Sequence, residues 1–189
     1  LFENSQIREA LKAEGGYGLT IVGLITKSDG SSFSEKEAEE LLNAIGCFLS
    51  FANGSRCMPV CPVGFDDSGN RVWEQWISPT EYWQRPLSWF DEHHCEQLEQ
   101  LFPGFMARWN DEVWKEAIHE VVYWYLLSNN PSRGSDAGII LTQTAIERIS
   151  YEYSVKEKRL IEVEGFKRLR ASDRFRLIFS SLGIPIDIP

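Results

Sequence analysis

Hydrophobic and polar residues alternate with a helical period over most of the second half of the chain. Aliphatic and aromatic side chains recur three or four positions apart there, which is the spacing of one apolar helix face. Acidic residues near each start and Gly, Asn or Pro near each end mark the boundaries. The pattern predicts helices over residues 91–102 (closed by Pro103), 111–130, 136–156 and 172–182.

The first part of the chain mixes strand and helix patterns. Residues 17–28 are rich in β-branched side chains, which predicts a strand. Ser34 followed by Glu37 forms a capping-box signal, and an apolar stripe after it predicts a helix over residues 35–51. Two short β-like runs then flank the sequence "DDSGN", a turn signal that predicts a β-hairpin.

These elements predict an α+β fold. We expect a small β/α segment over residues 1–85, followed by a mainly helical segment over residues 86–189. Three or four amphipathic helices that stop at "IPIDIP" indicate a bundle that ends before its last members. The first residue is Leu, so we expect the chain to be a piece of a longer protein.

Composition narrows the class of protein. The formal net charge of −9 repels nucleic acid at long range, which disfavours broad duplex binding. No apolar run approaches the roughly 18–20 residues of a membrane span, and no signal peptide is evident at the start. With four cysteines and no secretory signal, we expect reduced thiols, a cytoplasmic location and no membrane association.

The sequences "VVYWYLLSNN", "DAGIILTQTAIERISYEY" and "ASDRFRLIFSSLGIPIDIP" resemble helices of bacterial proteins with an Apea-like HEPN (higher eukaryotes and prokaryotes nucleotide-binding) domain. The sequences "GLTIVGLITKSDGSSFSEKEAEELLNAIGCFLSFANG" and "VGFDDSGNRVWEQW" resemble the region that precedes that domain. The resemblance implies an HEPN-like bundle, a homodimer through the helical segment, and RNA as the partner. It also implies a role in defence or stress response.

In many HEPN relatives an Arg-x(4–6)-His motif on a late helix cleaves RNA. The three histidines here, His93, His94 and His119, do not follow an arginine at that spacing. We therefore assign no catalytic residue, and ribonuclease activity requires an Arg and a His from a segment beyond residue 189. The alternative function is a non-catalytic protein-interaction or ligand-binding module.

Three polar residues lie within about a turn of one another on the predicted 136–156 helix. Gln143, Glu147 and Arg148 are candidates for lining a cleft of the bundle. The favoured alternative is that they face solvent or pair with neighbours, for example Arg148 with Glu152 at i,i+4. The basic sequence "KEKRLIEVEGFKRLR" (156–170) can contact phosphates, although its acidic residues favour a solvated face.

Four tryptophans, Trp73, Trp76, Trp83 and Trp89, are candidates for an aromatic platform that binds a sugar or a base. Core and hairpin packing is the alternative, because aromatic residues serve it far more often. A zinc site is disfavoured, because Cys57 and Cys61 lack a tight metal-ligand spacing and His93, His94 and Cys95 cannot converge from one helix. We expect no metal and no cofactor.

Overall fold

The computed structural model describes residues 9, 12–13, 22–76, 88–91, 93–130 and 134–186. The chain divides into two compact units, Leu1–Leu98 and Glu99–Pro189. We call these the N-terminal unit and the helical unit. The described residues form helices and one two-stranded antiparallel sheet, which confirms the coarse α+β class. The domain boundary expected at residue 85 stays a prediction.

The N-terminal unit is built on helix α1 (Glu35–Asn53), which begins and ends as its sequence predicts. The Ser34 side chain accepts from the Glu37 backbone N–H, and the Glu37 carboxylate accepts from the Ser34 N–H, so the capping box is complete. The helix ends at Gly54, whose φ of 74° is a left-handed conformation that favours glycine. Its inner face supplies the buried core residues Ala44, Cys47, Phe48 and Ala52.

The predicted hairpin is present as strands β1 (Val63–Phe65) and β2 (Arg71–Glu74). Val63 pairs with Glu74, and the register shifts between Gly64 and Phe65. The Asp66 carboxylate closes the turn by accepting from the backbone N–H groups of Ser68 and Asn70. Hydrogen bonds from N–H groups stabilise the charged form of a carboxylate. The hydrogen bonds from Asn70 make the largest contribution and hold the pKa of Asp66 below its usual range.

The predicted strand at residues 17–28 is wrong where it can be tested. Residues 22–27 form no strand, and Val22 and Leu24 are almost fully exposed. A β-branched segment needs a neighbouring strand for its backbone hydrogen bonds, and within the described residues this one has none. Residues 17–21 lie outside the described residues.

The helical unit contains most of helix α2 (Glu96–Trp109), which continues through Pro103. The prediction that this helix ends at Pro103 is wrong. Phe102, Phe105 and Trp109 follow one face and stack in series, with ring centroids 6.5 and 5.6 Å apart. We infer that this packing, with Trp109 buried, offsets the hydrogen bond that proline removes.

Helices α3 (Glu112–Ser128) and α4 (Ser135–Tyr151) form the centre of the helical unit. Asp111 caps α3 by accepting from the backbone N–H groups of Val113 and Trp114. The two helices run antiparallel, because a short connection joins them and Gly138 of α4 lies against the end of α3. A Cβ atom at Gly138 would lie 3.1 Å from the Ser128 carbonyl oxygen, so glycine permits this close approach.

Helix α4 continues into a π-helix (Glu152–Glu157), and the chain then forms helices α5 (Val163–Arg168) and α6 (Ala171–Ser181). The α5 residue Phe166 is buried, and its ring packs edge-on to Tyr151 at 5.5 Å. The Arg174 guanidinium lies over the same ring at 4.9 Å. Ile178 is the buried residue of α6. Helix α6 begins at Ala171, before the predicted cap at Ser172.

Candidate functional site

The structure brings Gln143, Glu147 and Arg148 into hydrogen-bonded and ionic contacts within the helical unit. The Gln143 amide donates to Glu147 Oε1 at 2.9 Å. The other carboxylate oxygen of Glu147 accepts from Arg174 Nη1 at 2.6 Å, which links α4 to α6. The side chains of Arg174 and Glu147 are 19% and 28% exposed. Glu147 therefore joins two helices, while its role as a cleft-lining residue stays a prediction.

Arg148 is the hub of a second ionic cluster. Its guanidinium lies 2.9 Å from Glu120 and 3.7 Å from Glu116, both on α3. On its own side, Arg148 Nη1 is 3.0 Å from Glu152 Oε1. Both the i,i+4 pair expected from the sequence and contacts to the neighbouring helix are thus present. We call the set of Arg148, Glu116, Glu120 and Glu152 the Arg148 cluster.

The most unusual member of this cluster is Glu152, whose side chain is 1% exposed. Its Oε1 atom also accepts from Lys156 at 2.9 Å. Within the described part of the chain, Oε2 of Glu152 and the hydroxyl of Ser154 have no hydrogen-bond partner. Burying a carboxylate is costly unless it is paired, so Arg148 and Lys156 stabilise it. The burial of Glu152 is not predictable from the sequence, because a glutamate among Tyr, Ser and Lys gives no burial signal.

Glu152 opens the π-helix, a rare turn type that often occurs at functional positions. Ser150 and Ser154, two residues before and after Glu152, are fully buried. The Ser150 hydroxyl donates to the Ile146 carbonyl oxygen, as a helical serine commonly does. The interior of the helical unit around the end of α4 is therefore polar rather than apolar. No periodic pattern in the sequence predicts this feature.

The candidate tryptophan platform lies in the N-terminal unit. Trp73 is half-buried on β2, whereas Trp76 is 79% exposed just after it. Trp89 packs against Phe51 with a centroid separation of 5.3 Å, and its Nε1 donates to the Phe51 carbonyl oxygen at 3.0 Å. Trp83 lies outside the described residues. Trp89 thus has a packing role, and a shared platform stays a prediction.

A shallow groove of about 190 Å³ lies beside α1 in the same unit. Its lining comprises Glu39, Leu42, Asn43, Met58, Pro59 and Gln75. It is smaller than the roughly 300–1,000 Å³ of typical small-molecule sites. The polar side chains of the groove can form hydrogen bonds, and among the described residues Glu39 is the one charged residue of its lining.

The cysteines and histidines do not form a metal centre in the part of the chain that the structure describes. All four cysteines are free thiols, of which Cys47 is buried and Cys61 is exposed. Burial raises the pKa of the Cys47 thiol to about 11 and also raises the pKa of Cys57. A buried thiol with a raised pKa is a poor nucleophile. His94 contacts Glu96 on the surface.

The basic sequence 156–170 packs around the end of α4. The Lys156 ammonium group lies over the Tyr151 ring at 5.6 Å, and Lys158 lies over Tyr153 at 5.7 Å. Arg108 forms a two-pronged ion pair with Glu157 and thereby joins α2 to the π-helix. The hydrogen bond from Arg108 holds the pKa of Glu157 below its usual range.

The chain is similar to two families of YopA domains and to a prophage-derived bacterial protein. Residues 2–85 match the family described as the YopA central domain, and residues 111–189 match the family described as the YopA C-terminal domain. The chain is also 27% identical over 190 residues to the SPbeta prophage-derived uncharacterized protein YopA of Bacillus subtilis (strain 168). The whole chain is aligned, and it spans 43% of the length of that relative. No solved structure matches.

The resemblance to Apea-like HEPN proteins is therefore wrong, because both matching families are YopA domains and no HEPN family is found. The physical reason lies in the quoted sequences. They follow the apolar periodicity of packed helices, which any helical bundle shares, and they contain no motif specific to one family. Separately, no helix within the described residues is long and apolar enough to cross a membrane.

Proposed function

We propose that this chain is a non-catalytic protein-interaction module that self-associates through its helical unit. The observation that carries the proposal is the exposure of large apolar side chains on the outward faces of the α3–α4 pair. Ile139 and Ile140 of α4 are 66% and 64% exposed, and Tyr123 and Val113 of α3 are also exposed. Ile139 and Ile140 are adjacent in the sequence, and neighbouring exposed apolar side chains are typical of protein–protein contact surfaces.

The polar residues of the same helices support a binding role rather than a catalytic one. Glu147 pairs with Arg174, and Arg148 pairs with carboxylates of α3 and of its own helix. These side chains are engaged in holding helices together. General acid–base catalysis requires groups that face a substrate, and the described contacts direct these groups at each other.

Ligand binding by the N-terminal unit is the second candidate function, and the groove beside α1 is the observation that favours it. Its small volume makes the interaction proposal the stronger one. Quenching of tryptophan fluorescence by a panel of sugars and nucleotides tests the ligand-binding proposal, since Trp76 is largely exposed next to Gln75 of the groove. Unchanged fluorescence throughout the panel would count against it.

Sedimentation equilibrium over a wide range of protein concentrations tests self-association. We expect the wild-type chain to show a concentration-dependent rise in mass. Two double variants, Val113→Ser with Tyr123→Ser and Ile139→Ser with Ile140→Ser, remove apolar surface from the two outward faces. We expect at least one of them to weaken association.

Val22→Ser with Leu24→Ser is the matched control, because both residues are nearly fully exposed in the N-terminal unit. It should associate as the wild type does. A wild type that stays monomeric at every concentration would refute the proposal. So would association that only the control variant abolishes.

A further inference from the structure

Acidic and basic side chains separate into two neighbouring areas of the helical unit. Glu112, Glu116 and Glu120 follow one line of α3 at intervals of four residues, and we call them the acidic ridge. Residues 156–170, the basic segment, contain six lysines and arginines against three glutamates. The two areas therefore carry opposite net charge.

The acidic ridge and the basic segment lie at the same end of the antiparallel α3–α4 pair. Arg148, near the end of α4, contacts Glu116 and Glu120 of the ridge. Arg148 also contacts Glu152, which pairs in turn with Lys156, the first residue of the basic segment. The Arg148 cluster thus forms the boundary between the two areas.

The basic segment folds back on this end rather than extending away from it. Tyr151 contacts both Lys156 at the start of the segment and Phe166 within it. The Arg174 guanidinium, over the Phe166 ring, also donates to the Lys167 carbonyl oxygen at 3.4 Å. These contacts keep the segment compact beside the acidic ridge.

Part of this charge has no ion-pair partner among the described residues. Arg159, Arg168 and Arg170 are exposed and form no ion pair in the described part of the chain. Glu112 of the acidic ridge is also exposed and forms no ion pair with any described residue. Half-exposed apolar side chains accompany the charges, Val113 beside the ridge and Leu160 in the basic segment. This mixture of apolar and charged residues is common at protein interfaces.

We infer that a second copy of this chain docks on this surface in a two-fold dimer, with the basic segment of each copy facing the acidic ridge of the other. The inference rests on the proposed function and places the contact at the end of the α3–α4 pair that contains Val113. Ile139 and Ile140 lie at the other end, so this interface requires that the double variant containing Val113→Ser be the one that weakens association. A two-fold axis between adjacent patches of opposite charge forms two favourable contacts at once. RNA fits less well, because the acidic ridge beside the basic segment repels its phosphates.

The test exchanges the charges on one side at a time in the 189-residue chain. The first variant carries Arg168→Glu and Arg170→Glu in the basic segment. The second carries Glu112→Arg and Glu116→Arg in the acidic ridge. All four positions are exposed, so both variants should retain the wild-type circular dichroism spectrum. If the first does not fold, Arg168→Gln with Arg170→Gln tests the same contact. Glu116 also contacts Arg148, so if the second does not fold, Glu112→Arg alone tests the acidic ridge.

Sedimentation equilibrium should show that each double variant weakens self-association by about tenfold or more. An equimolar mixture of the two variants should restore it, because each then supplies the charge that the other lacks. The second variant is decisive. It lowers the magnitude of the net charge of −9 and so reduces general repulsion between copies, yet the proposed interface requires it to associate more weakly.

Lys36→Glu with Arg56→Glu is the matched control for the first variant, because it changes the net charge by the same amount on exposed positions of the N-terminal unit. It should associate more tightly than the first variant. Self-association of the wild type with no loss in either variant would overturn this interface while leaving the proposed module intact. A monomeric wild type that binds single-stranded RNA through Arg168 and Arg170 would overturn both.

Discussion

Replacing Arg148 by methionine should destabilise the helical unit, because it leaves a buried carboxylate short of positive charge. Arg148 lies 3.0 Å from Glu152, whose side chain is 1% exposed. Glu116 and Glu120 are partly exposed, so water can replace the guanidinium around them. Methionine keeps the packing of the aliphatic part of the side chain and removes the charge together with the N–H donors.

The size of the effect follows from what Glu152 retains. Leaving a buried charge uncompensated costs about 3–5 kcal/mol. Lys156 still contacts Glu152 at 2.9 Å, but its side chain is 43% exposed and only partly compensates. We therefore expect Arg148→Met to lower the free energy of unfolding by about 2–3 kcal/mol at neutral pH. Adding Glu152→Met should recover most of this loss, because no buried charge then remains.

Urea unfolding followed by far-ultraviolet circular dichroism measures these differences, provided that the slope with urea stays constant. Arg176→Met is the matched control, because Arg176 is largely exposed and, in the part of the chain that the structure describes, its one ion pair is with Asp173 at 3.5 Å. It should change the free energy of unfolding by less than about 0.5 kcal/mol. If Arg148→Met is as stable as the wild type, or if the double variant is no more stable than Arg148→Met, the buried-charge explanation fails.

Three further predictions concern the N-terminal unit. Ser34→Ala should destabilise α1 by about 1 kcal/mol in urea unfolding, whereas Ser32→Ala, outside the capping box, should not. The Ser34 backbone N–H donates to Glu37 and, with its other partners, lowers the pKa of that carboxyl to about 2. Because the pKa of Glu37 is lower in the folded state, the capping-box stabilisation should be present at neutral pH and lost as the pH falls from about 5 to 2. In urea unfolding at several pH values, Glu37→Gln should abolish this part of the pH dependence. Alkylation followed by mass spectrometry should modify exposed Cys61 at pH 8 and leave buried Cys47, whose pKa is about 11, unmodified until the protein unfolds; equal rates would refute the burial argument.

The elements that the sequence predicted best have a local cause. The capping box at Ser34 and Glu37 begins α1, and the Asp66 turn forms the hairpin, because neighbouring residues supply every bond involved. Tertiary packing decided the failures. Pro103 lies inside helix α2, which the packing of its aromatic face stabilises. Residues 22–27 have the composition of a strand but no neighbouring strand within the described residues.

The candidate site shows the same division. The i,i+4 contact between Arg148 and Glu152 follows from helix geometry and was expected. The contacts of Arg148 with α3 and of Glu147 with Arg174 depend on how helices pack, which one sequence does not specify. The burial of Glu152 at the start of a π-helix was the least predictable feature, because no residue pattern marks that turn.

The hairpin has a consequence for handling the protein in solution. Among the described residues, β1 and β2 pair only with each other, so each strand presents an open edge. Val63 and Val72 are exposed on these strands, and open edges with apolar side chains promote aggregation. The Arg71–Glu74 ion pair places charge along β2 and opposes such pairing. Neutralising both residues should therefore lower the concentration at which the chain precipitates, even where its folded stability is unchanged.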